Sequence, residues 1–439
     1  MSKINDPKIV TEHLKKDIIK LLIDEVVIEG ESVKIFATIP LPNKIHEREM
    51  DKTDIPGTFN AVGPVNETNM TRIWNKHKQT NTPLKRKVLV GMSGGVDSSV
   101  AAALLVKEGY QVAGGFIKNW SDTKDLWTGE CEWRGERRDA MRVAAQLGIP
   151  LLTFDFEEQY RARVLERLFE GYENGITPNP DVLCNEEIKF GLFYEAARKA
   201  GFDFIATGHY ARVARNKNKR AHLLRGIDAS KDQSYFLYRI HPEALAHALF
   251  PIGEYKKTDV RKIAEELKLP TANKPDSQGI CFIGKIDFKD FLRKRIESKP
   301  GTIVDSEGKI IGEHDGLDTY TIGQRQGMGV SAGGHAWYIA AKDEKKNELI
   351  VVPNREHPLL CKKELNVEDL HWLNPLPEDG VVDVVVRYHA KAIRANVQLN
   401  KTAHVLFQEP VWAPAPGQSA VFYNGDECLG GGTISEDSI

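Results

Sequence analysis

Residues 91–99 form the stretch of this chain whose residue types point most directly to chemistry. They read Gly-Met-Ser-Gly-Gly-Val-Asp-Ser-Ser and follow the apolar run at residues 88–90. A β-branched run, a glycine-rich turn and a helical pattern predict a strand–loop–helix unit, whose backbone N–H groups and helix N-terminus suit phosphates. The loop has neither the Gly-Lys-Ser/Thr ending of a Walker A loop nor the Gly-x-Gly-x-x-Gly spacing of a dinucleotide turn. It therefore predicts a phosphate site of another class.

Two cysteines lie in turn-rich segments that could hold reactive thiols. Cys184 follows Thr-Pro-Asn-Pro-Asp-Val-Leu, with Asp181 three residues earlier and a helical pattern that opens at Glu186. A helix N-terminus stabilises a thiolate, and Asp181 is near enough to exchange protons if the turn folds back. Cys281 lies in a second Pro/Asp/Gly-rich loop. Taken alone, each cysteine would more often be a buried structural thiol.

Further polar segments follow apolar runs. Gly208 and His209 come directly after the apolar residues 204–207, and Lys231-Asp232-Gln233 precedes Ser-Tyr-Phe. Taken alone, His209 would more often be a structural histidine, and the segment of residues 231–233 would as often be a solvated loop. Basic segments at residues 134–142 and 215–220 suit phosphates, although most such runs are solvated faces.

Composition limits the class of protein. The chain has 439 residues, of which 41% are hydrophobic and 28% charged, so we expect a soluble globular protein of several domains. The net charge of −2 excludes a global basic field, and any nucleic-acid binding must come from local patches. Five dispersed cysteines favour a reducing compartment. With no membrane-length apolar run, signal-peptide core or transit-peptide composition, we expect a cytoplasmic protein without membrane contact.

Periodicity divides the chain into four parts. Residues 1–86 predict a helix over 10–28, a strand over 32–39 and a polar linker, with no assigned function. Residues 87–290 alternate strand and helix patterns, which predicts an α/β domain with a parallel sheet. Residues 291–362 predict a small glycine-rich domain with short strands, and residues 363–439 a C-terminal all-β barrel.

The predicted elements place the loop of residues 91–99 at a ligand-binding edge. The predicted strands of the α/β domain are residues 88–90, 112–116, 151–154 and 204–207, and its clearest amphipathic helices are residues 136–147 and 187–200. Open parallel sheets bind ligands beyond the carboxyl ends of their strands. The glycine-rich loop and Gly208 both follow such ends.

Taken together, these motifs closely resemble the tRNA-specific 2-thiouridylases of the PP-loop ATP pyrophosphatase superfamily. The resemblance rests on the Ser-Gly-Gly-x-Asp-Ser loop, on Asn-Pro-Asp-Val-Leu-Cys-Asn, Gly-His-Tyr and Lys-Asp-Gln-Ser-Tyr, and on Gly-Ile-Cys-Phe around Cys281. It covers residues 87–439 in order, whereas the first 86 residues match nothing in the family. It implies a PP-loop (HUP, Rossmann-like) domain, a small central tRNA-recognition domain and a C-terminal β-barrel.

The resemblance implies an activity and a set of site residues. The enzyme would transfer AMP from ATP, with Mg²⁺, to the C2 oxygen of the wobble uridine (U34) in the tRNA anticodon loop, and then install sulfur at C2. Cys184 resembles the nucleophile and Cys281 the persulfide carrier, charged by a cysteine desulfurase or relay protein, and Asp181 is placed to act as acid or base. The implied ATP contacts are Gly91, Met92, Ser93, Gly94, Gly95, Val96, Asp97, Ser98, Ile117 and Gly208. The target base would meet Asn179, Pro180 and Asp181, and further tRNA contacts fall on His209, Lys231, Asp232, Gln233, Arg387, Tyr388 and Gln418.

One departure and three alternatives accompany this resemblance. Ile117 stands where the family often has Met, a change that conserves volume. Another PP-loop enzyme that amidates or ligates a small molecule would not need the β-barrel and paired cysteines. An inactive tRNA-binding relative would not need the intact loop and both thiols. An iron–sulfur cluster held by Asp181, Cys184 and Cys281 would have only two cysteine ligands.

Overall fold

The computed structural model describes residues 23–29, 32–37, 86–121, 132–216, 220–276, 288–330 and 336–436. Cys281 lies in residues 277–287, which are outside these ranges, so the prediction for that residue stays a prediction. Among the residues described, no helix combines the length and apolar character needed to cross a bilayer.

The described part of the N-terminal 86 residues is a β-hairpin. Strand β1 (Ile23–Glu29) pairs antiparallel with β2 (Ser32–Ala37), from Glu29 opposite Ser32 outward. The predicted strand at residues 32–39 is therefore confirmed over most of its length. The helix predicted over residues 10–28 is wrong from residue 23 onward, where the backbone forms strand β1 and pairs with β2. The rest of that helix and the predicted linker lie outside the described residues.

A five-stranded parallel sheet forms the centre of the α/β domain, in the order β5-β4-β3-β6-β9. Its strands are β3 (Lys87–Gly91), β4 (Gln111–Lys118), β5 (Leu151–Asp155), β6 (Phe204–Ala206) and β9 (Ala248–Leu249). Val88, Leu89 and Val90 are fully buried, as expected of a central strand covered on both faces. The chain leaves β3 toward β4 on one side and later adds β6 on the other, so the loop after β3 lies at the switch point of the sheet.

Helices cover the sheet. They are α1 (Val96–Lys107), α2 (Glu132–Leu147), α3 (residues 157–173), α4 (residues 180–199), α5 (Pro242–Ala246), α6 (Lys257–Glu266) and α7 (Phe288–Arg293). Both α3 and α4 contain a π-helical segment, Arg161–Leu165 and Cys184–Leu192 respectively. In β4, a side chain at Gly115 would overlap the Phe193 ring, so the absent side chain lets α4 pack directly on the sheet.

The central domain is a four-stranded sheet in the order β11-β10-β13-β12. Its strands are β10 (Gly301–Asp305), β11 (Ile310–His314), β12 (Tyr338–Asp343) and β13 (Glu348–Val352). Strand β10 pairs antiparallel with β11 and parallel with β13. A separate apolar cluster that includes Ile303, Trp337 and Leu349 fills its interior, which gives this small domain its own core.

The C-terminal domain is a closed antiparallel barrel. Its strands are β14 (Cys361–Trp372), β15 (Val381–Val385), β16 (Ile393–Leu399), β17 (Ala403–Trp412), β18 (Ser419–Asn424) and β19 (Glu427–Ile434). The pairing of β14 with both β17 and β19 closes the barrel. The predicted α/β domain, small central domain and C-terminal β-barrel are thus the fold observed.

One connection between domains was not predicted from the sequence. The hairpin of β7 (Ala211–Arg215) and β8 (Ala221–Arg225) leaves the α/β domain and joins the barrel sheet, with Cys428 of β19 opposite Leu223. Arg215, in one of the basic segments noted above, donates to the carbonyls of Ala246 and Ala248. Its guanidinium therefore holds the hairpin against the α/β domain.

Candidate active site

The loop between β3 and α1 is shaped by two glycines with different roles. Gly94 has a φ of +73°, and a Cβ there would collide with the carbonyl oxygen of Glu136 in α2. Gly95 occupies the N-cap position of α1 and has no side chain to cap it, so the first-turn N–H groups remain for a ligand. The loop thus packs closely against α2 at Gly94 and leaves the first-turn N–H groups of α1 without a side-chain cap at Gly95.

Serine hydroxyls connect the two ends of this loop. The Ser98 Oγ accepts from the Ser93 N–H at 3.3 Å and donates to the Gly95 carbonyl at 3.2 Å. Ser99 Oγ donates to the same carbonyl at 2.6 Å and accepts from Thr271 Oγ1 at 3.0 Å. These bonds fix the backbone curvature that an anion would meet, which is the preorganisation a phosphate site needs.

Gly208, at the end of β6, packs directly on this loop. A Cβ at residue 208 would lie 2.6 Å from the Ser98 nitrogen and 2.7 Å from the Asp97 carbonyl carbon. Only glycine allows this approach without a shift of the backbone. The structure therefore brings Gly208 to the loop of residues 91–98, as expected if both meet one nucleotide.

The three apolar side chains among the predicted nucleotide contacts are buried. Met92, Val96 and Ile117 are 1%, 3% and 6% exposed and pack into three different apolar clusters. Met92 and Val96 can offer only backbone groups to a ligand. Ile117, one residue before the end of β4, lies in the same cluster as Cys184.

Asp97 is the centre of a charged network that sequence reasoning missed. Its two carboxylate oxygens each accept from Lys257 Nζ at 2.8 Å, and Oδ1 also accepts from the Tyr210 hydroxyl at 2.8 Å. Lys257 Nζ lies 2.8 Å from Asp276 Oδ1 as well. Burial and the neighbouring Asp97 charge raise the pKa of Tyr210, so the phenol stays a donor. The only sequence signal was a lysine in the first turn of α6, an ordinary feature.

Asp97 and the loop amides fit a magnesium–nucleotide complex in their donor types. Exposed N–H groups suit phosphate oxygens, and a carboxylate is a preferred Mg²⁺ ligand. Lys274 adds a further cation here, with Nζ 3.1 Å from the Gly94 carbonyl and 2.8 Å from Asp139.

The segment that carries Cys184 is a capped helix. Asn179 is the N-cap of α4 and its side chain accepts from the Val182 N–H at 3.3 Å, while Pro180 occupies the first helical position. Cys184 begins the π-helical segment and is fully buried. π-Helical segments are frequent at functional sites because they displace one side chain from the regular spacing.

The predicted start of this helix is wrong by six residues. We expected the helical pattern to open at Glu186, whereas α4 begins at Pro180. The backbone N–H of Cys184 therefore already donates within the helix, to the carbonyls of Pro180 and Asp181. The helix N-terminus acts most directly on Asp181, which lies in the first turn, and less on the thiol.

The barrel forms hydrogen bonds with the segment that precedes this helix. Gln418 Nε2 donates to the carbonyls of Thr177 at 2.9 Å and Pro178 at 3.3 Å, and the Thr177 N–H donates to the Pro416 carbonyl at 2.9 Å. Thr177 Oγ1 also lies 3.3 Å from Thr321 Oγ1 of the central domain. All three domains meet at Thr177, two residues before the helix cap.

Several predicted tRNA contacts have side chains engaged within the protein. The His209 ring is 8% exposed, with Nδ1 2.7 Å from Thr207 Oγ1 and Nε2 3.5 Å from Lys189 Nζ. Burial, with the Lys189 charge, lowers the pKa of His209 well below its ordinary value, so the ring is neutral. Asp232 is 9% exposed and accepts from Arg225 and from the N–H groups of Gly226 and Ser234.

Lys231, Arg387 and Tyr388 are better placed for a ligand. Lys231 is 41% exposed with Nζ 3.3 Å from Asp276. Arg387 donates through Nη2 to the Ile322 carbonyl, and its buried Nε has no hydrogen-bond partner among the described residues. Burial, with the charges of Asp232 and Asp181, raises the pKa of Tyr388 to about 12. Tyr388 therefore lies in the electrostatic neighbourhood of Asp181, on the side of the barrel.

Models of known protein families match the three domains of this chain in the same order. Residues 86–285 match the tRNA methyl transferase HUP domain, residues 289–353 the tRNA methyl transferase PRC-barrel domain and residues 362–434 the aminomethyltransferase beta-barrel domain. A tRNA-specific 2-thiouridylase MnmA of Bacillus pumilus is 45% identical over 81% of this chain and 97% of its own. One of Haemophilus influenzae is 46% identical over 84% of this chain and 99% of its own.

Among solved structures, a 4-thiouridine synthetase–RNA complex with bound ATP aligns over 48% of this chain and 50% of its own, at 17% identity and a TM-score of 0.31. The relatives identified by sequence are far closer and are covered almost end to end. On that identity and coverage, this chain belongs to the tRNA-specific 2-thiouridylase MnmA family.

Proposed function

We propose that this protein is an ATP-dependent tRNA-uridine 2-sulfurtransferase that replaces the C2 oxygen of the wobble uridine with sulfur. The membership of this chain in the family supports the assignment of this reaction class. The observation that supports the site is the loop of residues 91–98, against which Gly208 packs, in a fold whose helix α4 contains Asp181 and the buried Cys184.

The first step activates an unreactive carbonyl. The C2 oxygen of uridine attacks the α-phosphorus of ATP, the bond to the β-phosphate oxygen breaks, and pyrophosphate leaves. The loop amides and the N-terminus of α1 stabilise the charge that collects on the departing pyrophosphate. Mg²⁺, when bound, offsets the triphosphate charge, and Asp97 is the carboxylate in the loop suited to hold it.

The second step delivers sulfur. The terminal sulfur of a Cys281 persulfide adds to C2 and AMP departs with the former C2 oxygen. Transfer is completed when the Cys184 thiolate attacks the inner sulfur of Cys281, which forms a Cys184–Cys281 disulfide and leaves the terminal sulfur on the base. An external thiol then reduces the disulfide, and a persulfide donor protein reloads Cys281.

Asp181 is suited to proton transfer in this sequence. It lies in the first turn of α4, one turn before Cys184 and in the electrostatic neighbourhood of Tyr388. A carboxylate there can take the proton of the Cys184 thiol or of the uridine N3.

The tRNA contributes the rest of the site. The wobble base must leave its stack to enter the pocket, which costs a few kcal/mol and less in a single-stranded loop. Asn179 and Pro180 would meet this base, while Lys231, Arg387 and Tyr388 lie on segments that would face the anticodon stem-loop. For Gln418, His209, Asp232 and Gln233 the internal hydrogen bonds favour an indirect role, through the backbone that they hold.

An oxygen-18 experiment tests the adenylation step. A tRNA labelled at the uridine C2 oxygen is incubated with the enzyme, ATP, Mg²⁺ and a persulfide donor, and AMP is analysed by mass spectrometry. The proposal predicts one ¹⁸O atom per AMP for each 2-thiouridine formed, and no ¹⁸O when the label is at C4. Unlabelled AMP from the C2-labelled tRNA would exclude activation through the C2 oxygen.

A further inference from the structure

Two chains of contacts join Asp97 in the nucleotide loop to residues 231–233, the segment expected to meet tRNA. We call them together the coupling network; it consists of Asp97, Tyr210, Lys231, Gln233, Lys257 and Asp276. Building on the proposed function, we propose that Tyr210, Lys257 and Asp276 are positioning residues that make nucleotide and tRNA binding depend on each other.

The first chain runs through Tyr210. Its hydroxyl donates to Asp97 Oδ1 at 2.8 Å. Its backbone is paired twice with Gln233, since the Tyr210 N–H donates to Gln233 Oε1 at 3.0 Å and the Gln233 N–H donates to the Tyr210 carbonyl at 2.8 Å. Tyr210 is 3% exposed and packs among Val96 and Val100 of α1. A displacement of residue 233 is therefore carried to the phenol at Asp97.

The second chain runs through charges. Lys257 Nζ lies 2.8 Å from both oxygens of Asp97 and 2.8 Å from Asp276 Oδ1. The other oxygen of Asp276, Oδ2, lies 3.3 Å from Lys231 Nζ. Although burial opposes its ionisation, hydrogen bonds and charge from Lys257, Lys231 and Arg261 lower the pKa of Asp276 to about 2. The carboxylate thus remains charged at physiological pH.

The two lysines of the second chain differ in their exposure to solvent. The Lys231 side chain is 41% exposed and that of Lys257 only 13%, so a phosphate of tRNA can reach the first ammonium and not the second. A phosphate that binds Lys231 withdraws it from Asp276. Asp276 then interacts more strongly with Lys257, whose hold on Asp97 weakens in turn. When tRNA is present, Asp97 thus becomes freer to act as the proposed ligand of nucleotide-bound Mg²⁺.

A purely structural role predicts a different result. If the network only stiffened the fold, its loss would weaken nucleotide and tRNA binding independently. A coupling role requires that the effect of one ligand on the affinity for the other is lost, and thermodynamic linkage makes this effect equal in both directions.

The test measures the Kd of tRNA with and without a saturating non-hydrolysable ATP analogue, and the Kd of the analogue with and without tRNA. For the wild type we expect each ligand to tighten the other by about five-fold or more. In Tyr210→Phe and Asp276→Asn that factor falls below about two-fold. Lys262→Met on the exposed face of α6 and Tyr110→Phe, at the opposite edge of the sheet, keep the wild-type factor.

A wild-type factor near one would overturn the inference, and so would variants that are folded by circular dichroism and retain the wild-type factor. Neither would affect the proposed function, which is tested separately by the formation of 2-thiouridine with the wild-type protein. Loss of coupling in Lys262→Met would also contradict the inference, because that side chain pairs with Asp259 outside the network.

Discussion

The side-chain amide of Gln418 in the barrel donates to the backbone carbonyl of Thr177, 2.9 Å away, in the segment that leads into the Cys184 helix. A second bond from the same amide reaches the Pro178 carbonyl. The C-terminal domain therefore positions the helix on which Asp181 and Cys184 lie, in addition to any contact it makes with tRNA.

Replacement of Gln418 tests this positioning. Gln418→Ala leaves two carbonyls without their donor, a loss of about 1 kcal/mol, so we expect the thiolation rate to fall about three- to ten-fold. The effect should appear in kcat more than in the KM for tRNA. Gln398→Ala, at an exposed position of β16, is the control and should leave the rate unchanged. A change confined to the KM for tRNA would indicate direct contact instead.

Gly208→Ala should impair nucleotide binding and leave tRNA binding nearly unchanged. The added methyl group would lie 2.6 Å from the Ser98 nitrogen, which forces the loop of residues 91–98 to move. We expect tRNA-dependent pyrophosphate release to fall at least about a hundred-fold, with the Kd of tRNA alone little changed. Gly135→Ala in α2, where a Cβ meets nothing within 4 Å, is the matched control. Undiminished pyrophosphate release in Gly208→Ala would remove this loop from the nucleotide site.

Replacement of Cys281 and replacement of Cys184 should block sulfur transfer at different steps. Cys281→Ser should abolish thiolation and leave ATP and tRNA binding intact, because no persulfide can form. Cys184→Ser should also block turnover but still accept a persulfide on Cys281, detectable by mass spectrometry of the protein. Cys361→Ser, in β14, should remain active.

Equal activity of aerobic and anoxic preparations supports the persulfide route, whereas activity that requires anoxic iron reconstitution would favour the cluster held by Asp181, Cys184 and Cys281.

Lys342 gives the interface between the central and α/β domains a pH dependence. Its Nζ donates to the Gly175 carbonyl at 3.0 Å, and burial lowers its pKa from 10.5 to about 8. The unfolded chain therefore binds more protons between pH 8 and 10.5, so this group makes the protein more stable as pH rises through that window. Relative to wild type, Lys342→Met should lose this rise, of up to about 1 kcal/mol per pH unit.

Denaturant unfolding of both proteins from pH 7.5 upward measures the difference. Lys346→Met, whose side chain is 69% exposed, should follow the wild type at every pH. Parallel curves for wild type and Lys342→Met would show that this amine keeps an ordinary pKa in the folded protein.

Deletion of residues 1–86 should leave thiolation largely intact. The part of the chain that matches the family begins at residue 86, and the described hairpin β1–β2 pairs within itself. Steady-state thiolation by the truncated and full-length chains provides the comparison. An inactive but folded truncation would show that the N-terminal residues belong to the catalytic apparatus.

The sequence was informative where local chemistry and local structure coincide. The loop of residues 91–98 follows a β-branched strand, so one segment predicted both the strand–loop–helix conformation, which is confirmed, and a phosphate ligand, which stays a prediction. The helix start at Pro180 was missed because two prolines were interpreted as turn residues, although proline is favoured at the first helical position. The connection of the β7–β8 hairpin to the barrel was missed because the pairing of β8 with β19 joins residues some two hundred positions apart.

The charged network could not be predicted for a similar reason. Lys257 and Asp276 stand in unremarkable polar segments, and only the fold brings them to Asp97. For Asp232 and His209 the resemblance implies tRNA contacts, which stay predictions, and the structure shows that both side chains are buried and hydrogen-bonded. Motifs predicted which segments form the site, but only the packing shows which of their side chains are exposed and which are buried.

Mass spectrometry of nucleosides from tRNA provides the most direct test of the central claim. Unmodified tRNA is incubated with the full-length protein, ATP, Mg²⁺ and a persulfide donor, then digested and mapped. The account predicts 2-thiouridine at the wobble position only, with ATP consumed to AMP and pyrophosphate, and none with Asp97→Ala. Absence of 2-thiouridine with the wild-type protein, or its formation without ATP, would contradict the account.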